Sequence, residues 1–312
     1  MNHINPNALD ALLEAARDAR SSALVVWQDG SPPLEWWFRG HPRMIETMSV
    51  TKSVVNLIVG RAVTLGLIES ADTPVHKFYP EWRQGRKRLI TLRHLLSHTS
   101  GLQDFRTTNI EIYPSPDFVK LALSAELEDQ PGACFRYSNK AVNLLAGVIA
   151  RATGKPMQRF AATELFDPME IEFDWLRDEA GNPHGMAGLK LYPKDLAKLG
   201  RLALQRGLWD DAQLISEDWL EQSLRPGCDL MPNHGWLWWL KNKFDSITVN
   251  DSHVTALEVA GASPTELKMY REMIGVYPTL AAFGDVLEER TGENILGLVV
   301  VQGILTVKAE SK

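Results

Sequence analysis

The stretch from Ser49 to about Leu65 constrains the fold more than any other part of the 312-residue chain. Val50, Val54, Val55, Leu57, Ile58, Val59, Ala62 and Val63 would cover nearly every face of a helix with apolar side chains before Gly66 offers a stop. A helix that is apolar all round is buried, so other layers must close over it. At roughly 100–200 residues per domain, the chain is long enough for one large domain or two interlocked ones. Lys52 is out of keeping with this helix. Lysine is almost never fully buried unless it is paired, so its place there calls for a reason.

Ser49 stands three residues before Lys52, and residues at i and i+3 share one face of a helix. A hydroxyl needs a base to become a nucleophile at neutral pH, and a lysine can serve when desolvation lowers its pKa. If Ser49 opens the helix, the positive end of the macrodipole also favours negative charge developing there. A second group is Tyr137-Ser138-Asn139, placed just before a helix expected from Ser138 to Ala152, with Gly154 and Pro156 beyond its end. A tyrosine hydroxyl can relay a proton, and an amide can orient a substrate carbonyl or the lysine. Taken singly, Ser-x-x-Lys arises by chance and Tyr-x-Asn is a turn and cap. Each gains meaning from the other.

Along the rest of the chain, Leu9, Leu12, Leu13 and Ala16 mark an amphipathic helix over 7–20, with Asn7 as its cap. SALVVWQDG and PLEWWFRG read as a hairpin. Residues 76–190 read as helical, with loops at 80–88, 101–116 and 126–137 and no strand pair. Helices follow at Pro193–Gln205 and Ser216–Ser223. The period then changes: HGWLWWL, DSITVN, HVTALEVAG and NILGLVVVQGI look like strands, with helical-looking Glu266–Met273 and Leu280–Glu289 before the last. The expected fold class is α/β (α+β), an antiparallel sheet flanked by helices with an inserted all-helical subdomain. The expected domains are 1–75 with 190–312, and 76–189. Trp236, Trp238 and Trp239 could line a cleft, but the alternation of a strand favours core packing.

Composition narrows the function. Lys and Arg number 33 against 39 Asp and Glu, a net charge of −6 with no long basic run, which lacks the footprint of a nucleic-acid binder. Cys134 and Cys228 have no short paired spacing, so neither a disulfide framework nor a cysteine metal site is expected. No apolar run approaches the roughly 20 residues of a membrane span. The amino terminus is polar and amphipathic without an export pattern, and a cytoplasmic protein is expected. His94 and His98 are four apart, but residue 95 is Leu where a zinc helix needs Glu, so both read as structural. No Gly-x-Ser-x-Gly elbow, P-loop or dinucleotide fingerprint occurs. No cofactor and no metal is expected, the partner is a small-molecule substrate, and the oligomeric state is open.

Longer segments carry a resemblance. MSVTKSVVNLIVGRAVTLGLIESADTPVHKFYPEW, ITLRHLLSHTSGL, PGACFRYSNKAVNLLAGVIARATGK and KLYPKDLAKLGRLALQRGLWDDAQLISEDWL follow one another in order within about residues 20–240. They resemble the serine β-lactamase and penicillin-binding-protein-like hydrolases, especially the class C β-lactamase and esterase branch. The resemblance implies a β-lactamase/transpeptidase-like fold, with Ser49 as the acylated nucleophile and Lys52 as its base. It makes Tyr137 a proton shuttle and Asn139 a substrate contact, with the Ser49 N–H supplying half of an oxyanion hole. The family's third motif, Lys-Thr-Gly or His-x-Gly on a strand, is not kept intact. His253-Val254-Thr255 has the basic residue without the glycine, and Gly261-Ala262-Ser263 the glycine without the basic residue. His253 remains the substrate-binding candidate there. The activity implied is that of a serine hydrolase on a carboxylic ester, β-lactam or small amide. The alternative is a non-catalytic binding or scaffold protein of the same fold.

Overall fold

The computed structural model describes residues 6–28, 31–104, 108–240, 247–249, 251, 254, 264–272 and 274–277. Contacts group them into two units, one formed by Ala23–Leu240 and the other by the described residues of Met1–Ser22 and Lys241–Ile304. The expected first helix forms as α1 (Pro6–Asp18). Pro6, whose fixed φ suits a first helical turn, already belongs to it, so Asn7 lies inside the helix and is not its cap.

In the larger unit, the hairpin forms as expected from β1 (Ala23–Val26) and β2 (Leu34–Trp37), with Ala23 opposite Trp37 and Val26 opposite Leu34. A short strand, β3 (Ile45–Glu46), leads through a 3₁₀ turn at Met48–Val50 into α2 (Thr51–Thr64). The apolar run behaves as its composition dictates, since Val54, Val55, Leu57, Ile58, Val59 and Ala62 are all buried. Lys52 is buried with them. Gly66, at φ +71, takes the left-handed conformation that ends the helix.

Among the described residues, five α-helices follow α2 before the next strand. They are α3 (Leu92–Leu96), α4 (Thr108–Glu111), α5 (Phe118–Ser124), α6 (Asn139–Thr153) and α7 (Met157–Ala161). α6 packs directly on α2 and on α5. Its ends are those expected: the Ser138 hydroxyl accepts from the Ala141 N–H at 3.0 Å, and Gly154 takes φ +69.

One expectation for 76–190 is corrected. β4 (Phe173–Trp175) and β5 (Leu189–Leu191) pair antiparallel, and β3 joins the other edge of β5, giving the order β3-β5-β4. Strands of three residues are too short to display an alternating period. Their inward residues, Trp175, Leu189 and Leu191, belong to the same core as α2.

The larger unit ends with α8 (Pro193–Leu204), the small hairpin β6 (Leu208–Trp209) and β7 (Ala212–Gln213), and α9 (Glu217–Ser223), capped by Ser216. HGWLWWL is not a strand. Leu237 takes φ 63 and folds the segment on itself, so that His234 bridges to Trp239. Trp236 and Trp238 are nevertheless core residues, as expected. The buried Asn56 side chain of α2 accepts from Trp238 Nε1 at 3.0 Å, and its backbone carbonyl from Trp219 Nε1 at 3.2 Å.

The smaller unit contains β8 (Ile247–Val249) paired antiparallel with β9 (Gly275–Tyr277), and α10 (Pro264–Glu272). The strand in DSITVN and the helix near 266–273 are therefore found. Val254 is helical, contrary to the strand expected through HVTALEVAG. The remainder of that segment, His253, Gly261–Ser263, Leu280–Glu289 and NILGLVVVQGI lie outside the described residues. Among the described residues, no helix is long and apolar enough to cross a membrane. Cys134 and Cys228 are free thiols.

Candidate active site

The turn that carries Ser49 is tied to the small sheet. Thr47 donates to the Leu189 carbonyl twice, through its N–H at 2.8 Å and its hydroxyl at 2.9 Å. Its hydroxyl also lies 3.0 Å from that of Thr51. Between them Met48 takes φ 45, a left-handed conformation that L side chains rarely adopt. Such strain persists only where its surroundings hold it, and here it lies one residue before Ser49. Ser49 is half-buried at the head of α2.

Lys52 Nζ donates to Ser49 Oγ at 3.3 Å and to the Met186 carbonyl at 2.8 Å. That carbonyl is itself fixed, because the Met186 N–H donates to Asn143 Oδ1 at 3.1 Å. Burial pushes the Lys52 pKa down to about 7, and the Asp104 carboxylate pulls weakly the other way. The amine is thus held close to the neutral form a base requires.

Tyr137 approaches from the segment that precedes α6. Its hydroxyl is close enough to the Ser49 side chain to feel it electrostatically, and its ring centre lies 4.8 Å from Lys52 Nζ. One edge of the residue stays open to solvent, but burial around the hydroxyl pushes its pKa up to about 12, and the nearby Ser49 side chain only partly opposes this. The phenol therefore stays protonated and able to donate. Trp239 stacks on its ring at 6.2 Å, so this tryptophan, unlike Trp236 and Trp238, borders the site. Asn139 opens α6 two residues further on, half-buried. The structure thus brings Ser49, Lys52 and Tyr137 into contact and sets Asn139 on the adjoining helix end, while His253 lies outside the described residues.

Asp104 escaped sequence reasoning. Its Oδ2 accepts from Ser138 Oγ at 2.7 Å and from the Lys140 N–H at 2.9 Å. Burial raises its pKa, whereas those bonds favour the carboxylate. The first turn of α6 thus rests on an acid, where helix electrostatics want one. No local pattern could have revealed it, since the two partners are 34 residues apart. Lys140 is buried as well, with Nζ 2.7 Å from Glu111 Oε1. His94 and His98 both bond within the fold. His94 Nδ1 accepts from the Thr91 N–H at 3.1 Å in a capping box at the start of α3. Burial holds His98 well below the usual histidine range and takes His234 down to about 4, with Lys52 adding repulsion to both. Among the described residues no group of three or more His, Cys, Asp or Glu could hold a metal ion.

A hydroxyl, an amine near neutrality and a protonated phenol, gathered where a buried helix begins, can move a proton away from oxygen and return it to a neighbouring atom. A site of this kind set between helices and an antiparallel sheet defines an α/β protein of the β-lactamase/transpeptidase fold. The crystal structure of a penicillin binding protein from Bacillus halodurans matches with a TM-score of 0.56 at 18% identity, over 74% of this chain and 84% of that one. The chain belongs to the Beta-lactamase family, whose sequence pattern matches residues 9–280. It is 32% identical to Esterase EstB of Burkholderia gladioli over 141 residues, 38% of this chain and 36% of the esterase. It is 22% identical to 6-aminohexanoate-dimer hydrolase of Paenarthrobacter ureafaciens over 208 residues, 58% of this chain and 50% of that protein. The matches thus span half or less of these two relatives.

Proposed function

We propose that the protein is a serine hydrolase that passes an acyl group to water through a Ser49 acyl-enzyme. The observation that carries this reading is the contact of Ser49 Oγ with Lys52 Nζ, at 3.3 Å, beside the Tyr137 ring, whose centre lies 4.8 Å from the same amine. Ser49 Oγ attacks the substrate carbonyl carbon and its proton goes to Lys52 Nζ. The bond to the leaving oxygen or nitrogen breaks, and that atom takes a proton through Tyr137. Water then attacks the acyl-enzyme, and the same groups restore the Ser49 hydroxyl. The Ser49 N–H, at the head of α2, is one donor to the oxyanion, and Asn139 contacts the substrate.

The substrate classes are a carboxylic ester, a β-lactam or a small amide, in keeping with relatives named as an esterase and as a 6-aminohexanoate-dimer hydrolase. Nothing observed favours the scaffold alternative. We also retain the division into 1–75 with 190–312 around 76–189, under which Ser49 and Lys52 come from one part and Tyr137 and Asn139 from the other.

Neither His253-Val254-Thr255 nor Gly261-Ala262-Ser263 joins a basic residue to a glycine, so an anchor for a substrate carboxylate is weakened. Neutral short-chain chromogenic esters should therefore be hydrolysed with a higher kcat/KM than a carboxylate-bearing chromogenic cephalosporin. Ser49→Ala should abolish both activities. Ester hydrolysis that persists undiminished in Ser49→Ala would refute the assignment.

A further inference from the structure

Beyond the groups that would touch substrate, Tyr137 must be held where its hydroxyl reaches Ser49, and it stands on irregular backbone, outside α6. Both backbone N–H groups that flank it end on one residue. The Arg136 N–H donates to the His98 carbonyl at 2.8 Å, and the Ser138 N–H donates to His98 Nδ1 at 3.1 Å. His98 reaches both because its backbone sits at φ 57, in the left-handed region where histidine, with asparagine and aspartate, is found more often than other side chains. Its ring then lies against the Tyr137 ring, centroids 4.5 Å apart and tilted by 39°. His98 is 1% exposed, so no water competes for these bonds.

The bond to Ser138 also fixes the state of the imidazole. An imidazolium has only donors and cannot accept an N–H, so His98 is neutral with its proton on Nε2. That Nε2 is buried without a hydrogen-bond partner, as is Nδ1 of His234, whose ring centre is 5.1 Å away. A donor left unmet costs about 1–3 kcal/mol, which a residue serving only to fill the core would avoid by being apolar.

We propose that His98 is the positioning residue of Tyr137, a neutral acceptor that clamps residues 136–138 so that the phenol meets Ser49. The inference rests on the serine-hydrolase reading, and His98 itself touches no reacting atom.

The test compares two substitutions of nearly the same shape. Asn Oδ1 falls where His Nδ1 stands and asparagine tolerates φ 57, whereas leucine puts a methyl group there. With a chromogenic ester, His98→Leu should lower kcat by about 10- to 100-fold, the scale of a misplacement near 1 Å, with KM changed by less than about threefold. His98→Asn should recover most of that loss. In a Tyr137→Phe background, His98→Leu should cost little more, because residues acting through one group are not additive. Circular dichroism and thermal melting identify the folded variants, and His98→Asn keeps the comparison available if His98→Leu does not fold. Wild-type hydrolysis that is unaffected by Ser49→Ala would overturn the underlying reading. If that reading stands, the clamp is overturned by near-full activity in His98→Leu, by a folded His98→Asn that is as slow as His98→Leu, or by a His98→Leu penalty that persists in full in Tyr137→Phe.

Discussion

Lys52 is the residue at which stability and function oppose each other. An apolar residue would suit its place in α2 better, and the depression of its pKa from 10.5 to about 7 records the cost of keeping an amine there. Each tenfold change in a protonation equilibrium is worth about 1.4 kcal/mol, so that cost outweighs the roughly 1–2 kcal/mol of its hydrogen bonds. Lys52→Met should therefore fold more stably than the wild type at pH 7, by about 1–3 kcal/mol in urea denaturation. Between pH 7 and 10.5 the unfolded lysine binds a proton that the folded one has released, so wild-type stability rises with pH through this window. The advantage of Lys52→Met should accordingly be largest at or below pH 7 and shrink toward pH 10. An advantage that grows with pH would show that Lys52 is charged in the folded protein. Activity follows the same proton, and kcat/KM should rise with pH through about 7 as Lys52 becomes neutral.

At the scale of elements, what could be read in the sequence were features with local signatures. The all-apolar run gave α2, and Ser138 and Gly154 bounded α6. Missed were β4 and β5, three residues each, and the reversal at Leu237, because a left-handed leucine is enforced by its surroundings and has no turn residue to announce it. The contact between α2 and α9 shows how closely these elements fit. A Cβ on Gly60 would lie 2.3 Å from Trp219 Cδ1 and 2.4 Å from its Nε1. That indole is buried and bonded to the Asn56 carbonyl, so it cannot simply swing aside. Alanine gains about 1 kcal/mol of helix propensity over glycine, against about 1–3 kcal/mol, occasionally more, for overpacking. Gly60→Ala should thus lower the melting temperature, whereas propensity alone predicts a rise. Ser138→Ala removes both a helix cap and a partner of Asp104. It should cost about 1–3 kcal/mol in chemical denaturation, and a loss near zero would mean that Asp104 alone caps α6.

At the scale of the molecule, the site is assembled from segments that begin far apart in the chain, and that governs which of its parts were legible. Ser49 and Lys52 were paired by helical spacing, while Tyr137 and Asn139 stood out as a turn before an expected helix and took their roles from the resemblance of whole segments. Asp104 and His98 remained hidden as partners of Tyr137 and α6, because their bonds to residues 136–140 exist only once the helices have packed. The central claim is that packing turns Ser49 into a nucleophile. The most direct measurement is covalent trapping by a fluorophosphonate, followed by intact mass and peptide mapping. A single adduct on Ser49 is predicted, formed far more slowly in Lys52→Ala. An adduct on another serine with Ser49 unmodified, or equal labelling rates in the wild type and a folded Lys52→Ala, would contradict it.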